Sequence, residues 1–169
     1  MKKLVMFAAI AVMSVMASAT TVKWGLVSGT ELDGISSGTA YLVYGTSIPE
    51  FSGSSFSEST ITDAGGQVLA TGAIADGFYM NATGETITPD STGLAKGNKT
   101  VYMVAISSDG KSMLVSSATK TLNLQASALS STLQWDGTAG FTPVAVPEPT
   151  SALLLMLGVA GLALKRKRA

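Results

Sequence analysis

Between Thr20 and Val146 no stretch of helical periodicity runs longer than about two turns. The apolar residues there come instead in short runs rich in β-branched and aromatic side chains, divided by Gly, Ser, Thr and Asp. A helix buries one stripe at i, i+3 and i+4, whereas a strand needs only a few residues that fit a pleated surface, so this pattern restricts the body to an all-β class. The clearest unit is Lys-Thr-Val-Tyr-Met-Val-Ala-Ile-Ser over 99–107, then Ser108-Asp109-Gly110, then Lys-Ser-Met-Leu-Val-Ser over 111–116. Asp-Gly between two such runs predicts a β-hairpin, because Gly110 takes positive φ without steric cost. Further strands are expected over 21–27, 39–44, 67–71, 77–80, 120–124 and 132–135. Short strands with turn residues between them predict a single antiparallel β-sandwich, Ig-like or jelly-roll-like, over 20–145. The only helix-compatible stretch of the body, 125–129, permits about one turn.

The whole-chain averages describe neither the body nor the ends. Over 169 residues the formal charge is zero and 13% of residues are charged, yet mean hydropathy is +0.38, too apolar for an ordinary soluble domain. The apolar weight lies at the two ends. So do six of the eleven basic residues: Lys2, Lys3, Lys165, Arg166, Lys167 and Arg168. The body retains five lysines against ten acidic residues, a net of −5. With that sign and no basic cluster it is not expected to bind nucleic acid, which is held by Lys and Arg neutralising phosphate. The chain contains no Cys and no His, which excludes disulfides, thiolate or imidazole metal sites and histidine acid-base chemistry. No metal and no cofactor is expected.

The N-terminus has the three parts of a secretion signal: Lys2 and Lys3, an apolar run over 4–16 broken only by Ser14, and the small residues Ala17-Ser18-Ala19. Cleavage by signal peptidase after Ala19 is expected, which makes 1–19 a signal peptide helix. At the other end Val146-Pro147-Glu148-Pro149-Thr150 leads into a Leu-rich apolar run over 151–164 and then Lys165, Arg166, Lys167 and Arg168. The two prolines fix φ and remove donors, so Pro147-Glu148-Pro149 should stay extended ahead of a helix that Thr150 or Ser151 can cap. The apolar run is expected to enter the membrane as a transmembrane helix, stopped by the four cations on the cytoplasmic side. About 14 residues of helix span about 21 Å, short of a hydrocarbon core of roughly 30 Å. The expected anchor is therefore weak, extended by snorkelling of Lys165 and Arg166.

In order and position, these parts resemble the PEP-CTERM sorting signal of Gram-negative and related bacteria. The resemblance covers residues 146–169 and rests on Pro147, Glu148, Pro149, the apolar helix and the basic terminus. It implies an exported protein, held at least transiently in the membrane and processed by an exosortase, a multipass membrane protease-transpeptidase. It also implies a final place at the cell surface or in the extracellular matrix, in association with exopolysaccharide. It implies nothing about the fold of the body.

Little in the body suggests chemistry. Trp24 and Trp135 offer two readings: aromatic platforms for sugar, as in a carbohydrate-binding module, or core anchors joining the terminal strands; the area of an indole favours the core. Tyr41, Tyr44, Tyr79 and Tyr102 are read as core in the same way. Asp33, Asp63, Asp76, Asp109 and Asp136 each precede a glycine by one or two positions, as turn residues do, and none has calcium-loop spacing. Gly34-Ile35-Ser36-Ser37-Gly38 matches a nucleophile-elbow string but lacks the strand, helix and histidine that such a serine needs, and is read as a turn. Residues 52–57 are read as a loop, and Asn81 and Asn98, each in a glycosylation-like string, as turns. The expected protein is non-enzymatic; a carboxylate-based glycosidase would require two acids about 5 to 10 Å apart across a cleft.

Overall fold

The computed structural model describes residues 20–124 and 129–145. The elements run β1 (Thr20–Leu26), β2 (Ser37–Tyr44), α1 (Glu58–Asp63), β3 (Gln67–Ala75), β4 (Met80–Ile87), α2 (Pro89–Thr92), β5 (Gly97–Ser107), β6 (Met113–Ser116), β7 (Lys120–Leu124), β8 (Leu129–Trp135) and β9 (Phe141–Pro143). They form two sheets, one ordered β4-β1-β8 and one ordered β3-β2-β5-β6-β9, in which β7 also pairs with β5. The body is all-β, as the short runs required.

The centre of the larger sheet is β5. Its apolar run is continuous, so both faces of the strand must be covered. Val101, Met103 and Ala105 enter one buried cluster, together with Ala40 and Leu42 of β2, Leu122 and Leu124 of β7, and Val22, Trp24, Leu26, Leu133 and Trp135 of the smaller sheet. Tyr102, Val104 and Ile106 enter a second cluster with Tyr41, Val43, Met113 and Val115. Phe56 and Ile61, with Ile48 and Phe51 half-buried, cover that second face. The covering segment is tied to the β5–β6 turn, where the Phe56 amide donates to the Gly110 carbonyl at 2.7 Å.

Along its other edge β5 is shared by two strands. Val104 to Ile106 pair with β6, and Gly97 to Val101 pair with β7. Between these registers the Met103 amide donates to the Ser116 hydroxyl at 3.1 Å, and that hydroxyl donates to the Ala118 carbonyl at 3.1 Å. The indole Nε1 of Trp135 donates to the same carbonyl, also at 3.1 Å. Ser116 is buried because it completes the ladder where β6 stops and β7 has not begun.

The expected Asp-Gly hairpin forms: Gly110 has φ 68 and its amide donates to the Ser107 carbonyl at 2.9 Å. A second one forms where a strand over 77–80 was expected. Asp76 and Gly77 have φ of 51 and 74, and Ala75 and Phe78 exchange amide–carbonyl bonds of 3.1 and 2.9 Å. This two-residue turn has positive φ at both central positions, so the next strand, β4, begins at Met80. The Tyr79 ring then lies across Gly72 of β3, where a Cβ would collide with it, and packs on Trp24 with centroids 4.6 Å apart.

Three further expectations are corrected. The pairing is not wholly antiparallel, since β8 runs parallel to β1 from Thr20↔Leu129 to Leu26↔Trp135. The strand before β8 is β7, in the other sheet, so no hairpin dictates its direction. The body also has helices outside the one stretch foreseen. α1 follows directly on residues 52–57, its entry marked by the Ser57 amide donating to Thr60 Oγ1 at 3.1 Å, and it is held by fully buried Ile61 rather than by its own length. Most of the foreseen one-turn stretch, 125–128, lies outside the described residues. Finally, Asn81 and Asn98 lie in β4 and β5 rather than in turns, although Asn81 Oδ1 accepts the Gly84 amide at 2.8 Å.

Replacing Ser116 by Ala leaves the Met103 amide buried without a partner, and should lower stability by about 1–3 kcal/mol. Urea unfolding followed by tryptophan fluorescence measures it; an unchanged midpoint would show that the junction on β5 does not need the hydroxyl.

Candidate functional site

A concavity among the described residues lies where the chain leaves the body. β9 pairs with the edge of β6 through Leu114↔Pro143, Val115↔Thr142 and Ser116↔Phe141. A proline is tolerated there because β9 is an edge strand. The pairing is extended on both sides, by the Ser117 amide donating to the Gly140 carbonyl at 2.7 Å and the Val144 amide donating to the Met113 carbonyl at 2.9 Å. The hydroxyls of Ser117 and Thr142 add a contact of 3.1 Å. Opposite this edge runs the stretch Ile48-Pro49-Glu50-Phe51, and between the two lies a cleft of about 510 Å3 whose lining reaches Val144 and Ala145. Its floor is Val115 of the second cluster, and among the described residues Glu50 is its only ionisable lining residue. The family model of the PEP-CTERM protein-sorting motif matches residues 145–168, beginning on the residue that ends this cleft.

The tail is a PEP-CTERM sorting motif.

The motif implies an exported protein sorted at the membrane by an exosortase. No curated protein and no solved structure matches the chain. The motif residues Pro147, Glu148 and Pro149, the cations Lys165, Arg166, Lys167 and Arg168, the apolar run 151–164 and the signal residues Ala17 and Ala19 all lie outside the described residues. Among the described residues no helix is long and apolar enough to cross a membrane.

The two tryptophans lie inside. Trp24 is fully buried and Trp135 is 3% exposed, both in the cluster shared by the two sheets. Neither indole presents a face to solvent, so the sugar-platform reading of these residues fails and the core reading holds. They sit on neighbouring strands, with Trp24 opposite Leu133 and Leu26 opposite Trp135. Tyr41 and Tyr102 are buried, while Tyr44 and Tyr79 are half-buried against the first cluster.

The acidic residues divide between turns and shallow clefts. Asp109 Oδ1 accepts the Ser107 hydroxyl at 2.6 Å and the Lys111 amide at 3.0 Å. Those bonds, the Ser107 hydroxyl first, hold its carboxyl below the usual carboxylate range. Asp136 is held low in the same way by the Thr138 hydroxyl and amide. Asp33 and Asp76 stand at turns, and Asp63 ends α1. Glu50 and Asp63 line a second cleft of about 330 Å3 beside Phe51. Glu31 lines two more, one with Asp33 and one with Asp76. Among the described residues no three acidic side chains gather as a metal site would require. Ser36 and Ser37 of the elbow-like string pass from the turn at Gly34 into β2, the reverse of the strand-to-helix order that exposes a nucleophile.

The most perturbed group described is structural. Tyr102 is buried, and its hydroxyl has no hydrogen-bond partner among the described residues. Desolvation pushes its phenol from 10.0 up to about 12. The unfolded chain ionises first and so binds fewer protons above pH 10, which means that stability is insensitive to this group below pH 10 and falls as pH rises from 10 to about 12. In Tyr102→Phe that part of the fall should disappear. Unfolding midpoints of both proteins across this range test it; identical slopes would assign the alkaline loss to other groups.

Proposed function

We propose that this is a non-enzymatic surface or matrix protein, a β-sandwich exported by a cleaved signal and delivered by its PEP-CTERM tail, with exopolysaccharide as its surroundings. The observation that carries the reading is the match of the sorting motif to residues 145–168, immediately beyond the strand that closes the body. Signal removal after Ala19 is supported by the sequence itself, in which Lys2 and Lys3, the apolar run 4–16 and the small residues Ala17-Ser18-Ala19 stand in the order of a secretion signal. Thr20 is fully buried, and its hydroxyl donates to the Asn123 carbonyl at 3.3 Å. Thr20, which would open the mature chain, is thus packed into the domain.

The sandwich reading is supported by the apolar cluster common to both sheets. The non-enzymatic reading is supported by the bonding of the acids: Asp109 and Asp136 are shifted in the direction that makes a carboxyl a poorer general acid. The tail is assigned the role of a transient anchor, in which the apolar run 151–164 holds the protein until the exosortase acts. Association with polysaccharide is assigned to the exposed Ser and Thr residues of the body rather than to its tryptophans.

Fractionation of the producing cells with intact-mass analysis tests these assignments together. The expected species begins at Thr20, lacks the basic terminus and leaves the membrane fraction. A retained Met1 would refute signal cleavage, and a full-length tail in the final location would refute processing. Enzymatic removal of the exopolysaccharide should release the processed protein; unaltered retention would refute the matrix association.

A further inference from the structure

We infer that the cleft between Ile48-Pro49-Glu50-Phe51 and β9 is a docking surface for the membrane enzyme that processes the sorting motif. The inference rests on the exosortase reading above and adds to it a second contact, made by the folded body rather than by the tail.

Position is the first ground. Ala145 lines the cleft, and Pro147 follows two residues later. At about 3.3 Å per extended residue the whole Pro147-Glu148-Pro149 motif lies within roughly 14 Å of the cleft wall. An enzyme that engages Glu148 must bring its own surface that close. The root of the tail is also fixed, since the Val144 amide is bonded to the Met113 carbonyl and β9 is paired to β6. Cleft and root of the tail therefore approach the enzyme together, and a body contact can orient the motif before the tail is cut.

Chemistry is the second ground. Ile48, Pro49, Phe51 and Val144 are half-buried, Pro143 is exposed, and Val115 floors the cleft. Glu50, Ser117 and Thr142 form an exposed rim. An apolar centre with a polar rim is the anatomy of a protein interface, and a volume of about 510 Å3 takes the anchoring side chains of a partner loop. The lining suits a protein better than lipid, because among the described residues no Lys or Arg belongs to it and Glu50 would face anionic headgroups.

The test is a pulse-chase of tail processing in cells that contain the exosortase, on the full chain, with four variants. Phe51→Ser empties the apolar centre and Glu50→Arg inverts the rim without entering the core. Thr83→Asp, on β4 of the other sheet, is the surface control, and Glu148→Ala disables the motif itself. Slowing of about tenfold in both cleft variants is expected, the change that loss of roughly 1.4 kcal/mol of binding produces, with Thr83→Asp at the normal rate. Phe51→Ser is counted only alongside its melting temperature; Glu50→Arg is exposed and carries the decision if Phe51→Ser is unstable. If Glu148→Ala stops processing while Glu50→Arg is cut at the normal rate, the docking surface is refuted and the sorting reading stands. If the normal chain is itself never cut, both fail. Loss of membrane association without slowed cutting would show that the cleft meets lipid instead, and would also overturn the proposal.

Discussion

The structure depends on one strand whose two faces are both apolar. In β5 the residues from Val101 to Ile106 alternate between two buried clusters, so neither face can be left to water. Burying a large apolar side chain contributes roughly 1.5–3 kcal/mol, and six consecutive buried positions oblige the rest of the chain to supply two covers. The smaller sheet covers one face through Val22, Trp24, Leu26, Leu133 and Trp135. The segment carrying Phe56 and α1 covers the other. That second cover explains why the described body, otherwise mostly strand, spends a stretch between β2 and β3 on a short helix with one fully buried residue, Ile61.

A polar junction lets the larger sheet change partners along β5. Ser116 accepts the Met103 amide and donates to the Ala118 carbonyl, which also takes the Trp135 indole from the smaller sheet. One carbonyl thus joins the break between β6 and β7 to the strand that lies beside β1. The arrangement positions both termini of the body. β1 is the central strand of its sheet, while β9 is the edge strand of the other. The N-terminal strand is therefore committed to the core, and the C-terminal one is displayed beside a cleft.

This division suits a protein whose instructions lie in its tail. The acids with shifted carboxyls are occupied with turns, the tryptophans with packing, and the strongest pKa perturbation belongs to a phenol enclosed in the second cluster. What the body offers outward is a polar surface and a cleft at the root of the sorting motif. An edge tolerates Pro143 and leaves one side of β9 unpaired, and the stitched strand gives the residues that lead into the motif a firm base.

The class of the body, most of its strands, the Asp109-Gly110 hairpin and the sorting motif were legible because each is encoded locally, in side-chain pattern or in contiguous residues. The second Asp-Gly turn was legible too, but the apolar Phe78-Tyr79-Met80 beside it reads as a strand unless the positive φ of Asp76 and Gly77 is given precedence. α1 carried only a weak signal, a Ser57-to-Thr60 cap without the usual Glu or Gln. Other features had no local signal at all. The parallel pairing of β8 with β1, the cover over the second face of β5, the junction at Ser116 and the cleft ending at Ala145 each join residues far apart in the chain. By itself the sequence determined that the body would be all-β and where a sorting enzyme would find it. Tertiary structure decided which faces were covered, how the sheets were joined and what surface stands beside the motif, because burial and strand pairing are satisfied by whichever distant segments can reach.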